Sequence, residues 1–137
     1  MSYVIKKAAH VQDEVKIQDG EKELTVSVNI YVDQVMGSFE KYRRQIGAAQ
    51  KNIQDITKSD KVPEDKVAEA YAALGEAVVA FFSLLFGEEQ TQKILDFYDG
   101  RSASMLADFI PYITEKIVPE VQKAQKEVAA RYTSWKH

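Results

Sequence analysis

Ala77-Val78-Val79-Ala80-Phe81-Phe82-Ser83-Leu84-Leu85-Phe86-Gly87 is the most apolar stretch of the chain, and its reading decides the fold. Apolar residues fall on every face of it, so as a helix it must be covered on nearly all sides. It is shorter than the roughly 18 apolar residues of a membrane span. Acidic residues also flank it, at Glu76, Glu88 and Glu89. The stretch is therefore expected to be the centre of a water-soluble core, with the other segments laid around it.

The helix that contains it starts well upstream. Pro63 followed by Glu64 and Asp65 suits a helix N-terminus, because proline fits the first turn and acids complement the positive end of the dipole. From Val67 an i, i+3/i+4 stripe runs through Ala70, Tyr71, Leu74, Ala77, Val78, Phe81, Leu84 and Leu85, which predicts a helix over about 63–86. Alanines and Gly75 in its first half allow other helices to approach closely, and Gly87 is the expected stop. Glu88 to Tyr98 then reads as a short helix closed by Asp99-Gly100. The paired glutamates at its start complement the dipole and have no third ligand or histidine spaced to join them.

Before the central helix the pattern changes period. Val15 and Ile17, then Leu24, Val26, Val28 and Ile30, alternate with polar residues on either side of Asp19-Gly20. Period-two alternation across such a turn predicts a β-hairpin over about 14–31 with one buried face. Residues 1–13 read as a lead-in or an extra edge strand. A lone hairpin is marginal, so this one either covers the helices or offers an edge to a strand from another chain. Asp33 is a candidate N-cap for a helix over about 33–56. Its apolar positions, Val32, Val35, Phe39, Tyr42, Ile46, Ala49, Ile53 and Ile56, keep a three-four spacing typical of a heptad seam. That seam packs either on the central helix or on a second chain.

Downstream, Ser102 or Ser104 offers a cap for a last helical stretch. It carries Met105, Leu106, Phe109, Ile110, Ile113, Ile117, Val118, Val121, Ala124, Val128, Tyr132 and Trp135. Pro111 and Pro119 each remove a backbone donor, so helices over about 103–118 and 120–135 are predicted, separated near Pro119. The fold class expected is mainly α with an N-terminal β-hairpin, a single α+β domain bundled around the buried helix.

Chemistry is sparse. The chain has 137 residues, a net charge of −3 and no cysteine, which removes disulfides and thiolate chemistry and suits a reducing compartment. A weakly acidic chain is a poor candidate for holding nucleic acid through its phosphates, and Lys41-Tyr42-Arg43-Arg44 reads as a solvated helix face. His10 and His137, near opposite ends, are the only histidines. No phosphate loop, calcium loop or metal-ligand spacing is present. The N-terminal residues lack the apolar core of a signal peptide. A cytoplasmic protein with no enzymatic activity, cofactor, nucleic-acid partner or membrane association is expected.

Several segments in this order resemble a known family. They are the hairpin Glu14 to Ile30, Met36-Gly37-Ser38-Phe39-Glu40-Lys41-Tyr42, Phe82 to Gln90, Ile94-Leu95-Asp96-Phe97-Tyr98, and Met105 to Ile113. Together they are similar to the small tail assembly chaperones of long-tailed phages and prophages of Gram-positive bacteria, over Val15 to Pro119. The resemblance rests on apolar core segments and turns and carries no catalytic signature. It implies a factor that binds the long, hydrophobic tape-measure protein and keeps it soluble until tail-tube subunits polymerise around it, and that self-associates. Candidate partner-binding residues are Val35, Phe39, Tyr42, Ile46 and Ile53 on one strip and Val128, Tyr132 and Trp135 on another. A minor tail or connector protein retained in the virion, or a cytoplasmic interaction module, are the alternatives.

Overall fold

In the computed structural model, which describes residues 2–7, 10–35, 37–59 and 61–134, a two-stranded hairpin is followed by helices. Strands β1 (His10–Asp19) and β2 (Lys22–Tyr31) pair antiparallel, Val15 opposite Val26, in one unbroken register. Gly20 takes φ +62° in the turn, which lies at Gly20-Glu21 because Asp19 already pairs with Lys22. One face of the hairpin is buried, through Val11, Ile17, Val26, Val28 and Ile30. β1 begins at His10, about four residues before the start expected near residue 14. Val11 is buried there, and His10 stacks on Tyr31 with ring centroids 4.9 Å apart.

The helix expected over 33–56 is broken. A short α1 (Val32–Val35) is followed by Gly37 at φ +87°, a conformation that L-residues rarely adopt, and α2 (Ser38–Thr57) starts afresh. Asp33 therefore lies within α1 and not at the start of the long helix. Helix α3 (Glu64–Phe86) is the expected central helix, with Pro63 as its N-cap residue. It is long and apolar enough to cross a membrane by length and composition, a property that residues 77–87 alone do not have. In this fold its apolar half lies inside: from Ala77 to Phe86 every residue is buried or half-buried. Gly75 allows close approach of the next helices, since a Cβ there would lie 3.0 Å from Ser102 Oγ. Gly87 ends α3 at φ +81°, ψ 161°, outside the left-handed helical region but equally restricted to glycine. α4 (Glu88–Phe97) follows at once, and α5 (Ser102–Tyr112) has Arg101, not a serine, as its N-cap residue.

The separation expected near Pro119 does not occur. α5 runs through a π-helical segment, Ile113–Ile117, directly into α6 (Val118–Ser134). The buried residues explain why. Phe109, Ile113, Ile117 and Val121 recur every fourth residue, and in an α-helix that spacing drifts about 40° per step. The wider π turn absorbs the drift and keeps the four side chains facing the core. The same widening accommodates Pro119, whose ring would otherwise crowd the carbonyl of Glu115, a residue inside the π segment. Thr114 Oγ1 donates to the Ile110 carbonyl at 2.9 Å, supplying a donor to the distorted ladder.

Deleting exposed Lys116 from the π segment changes the Ile113-to-Ile117 spacing to three, which an ordinary α-helix accepts. That variant is expected to melt cooperatively with a loss of about 1–2 kcal/mol. Deleting exposed Glu76 from α3 rotates one half of the central helix against the other and is expected to abolish cooperative melting. Equal damage in thermal unfolding from the two deletions would show that the π segment is not a one-residue accommodation.

Candidate partner-binding surfaces

α2 and α3 form the largest helix pair, packed antiparallel, with α5 against α3 beside them. Where α2 and α5 diverge they leave an apolar groove of about 210 Å³. Ile46 and Gly47 of α2 form one wall, Leu106 and Ile110 of α5 the other, and Phe81 the floor. Gly47 helps to keep it open, since nothing lies within 4 Å of where its Cβ would be. Ile110 is 39% exposed, on a helix whose buried residues are Met105, Leu106 and Phe109. A groove of this kind suits the side chains of an apolar helix face.

The expected partner strips are only partly available. Val35, Phe39 and Ile46 are buried in the monomer core, at 3%, 1% and 7% exposure, so this half of the seam faces inward. The physical reason is the α2–α3 pair itself: Phe39 meets Phe81 with ring centroids 5.5 Å apart. Tyr42 and Ile53 are half-buried on the same seam. On α6, Val128 is half-buried and Tyr132 is 72% exposed, while Trp135 lies outside the described residues. α2 packs chiefly on α3, whereas α6 packs on β1, the π segment and α1, the short helix that carries Val35 of the first strip. Ile110 and Leu106 were legible in the sequence only as core positions; their place on a groove depends on the angle between α2 and α5.

The hairpin presents two unlike edges. On β2, the side-chain amide of Gln90 imitates a neighbouring strand: the Ser27 amide donates to Gln90 Oε1 at 2.8 Å, and Gln90 Nε2 donates to the Ser27 carbonyl at 2.8 Å. Gln90 Nε2 also donates to the Phe86 carbonyl at 2.7 Å, which ties the edge to the end of α3. No local pattern announces this contact, which joins residues 63 apart in sequence. The β1 edge has no such cover among the described residues. Beside it runs a groove of about 390 Å³ between Val15–Gln18 and Tyr98, Phe109 and Tyr112.

Two tyrosine–carboxylate bonds fix that region. Tyr112 Oη donates to Asp13 Oδ2 at 2.8 Å, pinning β1 to the end of α5, and Tyr98 Oη donates to Asp108 Oδ2 at 2.8 Å, tying α5 to the end of α4. Burial, then the hydrogen bond to the carboxylate, pushes both phenols above their ordinary range. Both hydroxyls therefore stay protonated and remain donors throughout the neutral range.

No group of histidine, aspartate and glutamate side chains among the described residues is arranged to hold a metal ion. Lys41-Tyr42-Arg43-Arg44 sits on α2, where Arg43 pairs with Glu40 at 2.8 Å and Lys41 lies over the Tyr42 ring. Compared with protein-family models, with curated proteins and with solved structures, the chain has no match.

Proposed function

We propose that this chain is a tail assembly chaperone of a phage or prophage, a non-enzymatic factor that binds the tape-measure protein in the host cytoplasm and keeps it soluble during tail morphogenesis. The observation that carries the reading is the apolar groove between α2 and α5, left open by a chain whose own core is complete. A long client with apolar helical faces matches that groove chemically, and repeated weak contacts along such a client add up without a single tight site. The family resemblance of the segments between Val15 and Pro119 supports the same reading, and the net charge of −3 helps to keep a coated client in solution.

Co-expression with a tape-measure protein encoded beside this chain's gene is the direct test. Co-purification and an increased soluble fraction are expected; failure of both sinks the proposal. Ile110→Glu puts a charge on the groove wall at a position already 39% exposed. It is expected to shift the melting temperature by no more than a few degrees and to weaken client capture about tenfold or more. Capture unchanged by that substitution would move the client site away from this groove.

A further inference from the structure

The hairpin's two edges differ in a way that points to a second copy of the chain. Ser27 turns its amide and carbonyl away from β1 toward Gln90. In an antiparallel ladder its partner Glu14 must likewise turn its backbone groups away from β2. The same then holds for Gln12, Lys16 and Gln18, so a row of donors and acceptors runs along the outer edge of β1. Among the described residues no backbone hydrogen bond is made from that row. The strand is ten residues long, contains no proline and has no bulge. Natural edges are usually blunted by such devices or covered, as β2 is here.

We propose that β1 pairs antiparallel with β1 of a second copy about a two-fold axis at Val15, giving a continuous four-stranded sheet across the dimer. Charge complementarity selects this register. Two-fold pairing keeps each face of the sheet on its own side, so the exposed residues Gln12, Glu14, Lys16 and Gln18 meet one another. With the axis at Val15, Glu14 faces Lys16 of the second copy, Lys16 faces its Glu14, and Gln12 and Gln18 face each other. Moving the axis one residue back sets Glu14 against Glu14, and one residue forward sets Lys16 against Lys16. No other two-fold register within the strand joins opposite charges. Beneath the edge, the groove between Val15–Gln18 and Tyr98, Phe109 and Tyr112 leaves room for the second Val15 side chain. The paired area is that of one strand edge, so the dimer is weak and concentration-dependent. The inference is independent of the client proposed above, because it is tested on the purified chain alone.

The test is sedimentation velocity of the full chain from about 10 µM to about 1 mM, the range a small interface calls for. Reversible dimerisation is expected for the natural sequence. Glu14→Lys and Lys16→Glu, both at exposed positions, should each raise the dissociation constant about tenfold or more while leaving the circular dichroism spectrum unchanged. A one-to-one mixture of the two variants should associate again, as should the double exchange Glu14→Lys with Lys16→Glu. A natural chain that stays monomeric over the whole range overturns the proposal. So do single variants that dimerise like the natural chain, or a mixture that fails to recover.

Discussion

Phe39→Glu combined with Ile46→Glu is expected to unfold the protein, with loss of the cooperative thermal transition and most of the helical circular dichroism. Phe39 is 1% exposed and lies against Phe81 in the interior, and Ile46 is 7% exposed on the same face of α2. The Arg43 guanidinium, 5.8 Å from the centre of the Phe39 ring, already pairs with Glu40 at 2.8 Å, so a carboxylate forced into the Phe39 position against Phe81 must compete for a cation in use. An unpaired buried charge costs several kcal/mol after relaxation, and removal of the aromatic ring adds about 3–5 kcal/mol. Against a total stability of about 5–15 kcal/mol for a domain of this kind, the Phe39 change alone is enough to depopulate the folded state. Ile46 contributes less, because its side chain borders the α2–α5 groove and a glutamate there has a route to water. The alternative outcome, a well-folded monomer that has merely stopped self-associating, would place the seam between chains instead of within one.

That contrast marks where the sequence stops being informative. The three-four spacing from Val35 to Ile56 specifies a helix with one apolar side, but the same spacing serves a partner in the same chain or in another. Only the α2–α3 pair decides. The hairpin was more legible, because period-two alternation from Val15 to Ile30 sets strand, turn region and buried face together. Its N-terminal limit, His10, was hidden because Asp13 stands at an inward position of the alternation, where it is held by a tyrosine 99 residues away. The join between α5 and α6 shows a different kind of miss. Pro119 is a local signal for a break. The overriding signal was the unvarying four-residue interval from Phe109 to Val121, which requires a helix wound more loosely than α. The Gln90–Ser27 contact and the groove beside Ile110 were not legible at all, since both depend on the placement of elements far apart in the chain.

Phe82→Ala tests the other half of the core and is expected to cost about 3–5 kcal/mol, lowering the melting temperature by about 10–15 °C. Phe82 is fully buried, and its ring lies 4.9 Å from that of Phe109 in an edge-to-face arrangement and 5.8 Å from that of Phe86. Truncation removes the ring from two aromatic partners at once, and α3, α5 and the hairpin are too firmly packed on one another to close the space completely. The size of the loss also bears on how the all-apolar stretch is covered. From Ala77 to Phe86 every residue is buried or half-buried within a single chain, and Phe82 itself is wholly enclosed by it. The cost of Phe82→Ala should therefore be the same in the natural chain and in the Lys16→Glu background, and the same when both are melted at tenfold lower concentration. A cost that shrinks in the Lys16→Glu background would mean that association between chains completes the core around α3. Equal costs would confine association to the hairpin edge and leave the central helix wholly to its own chain.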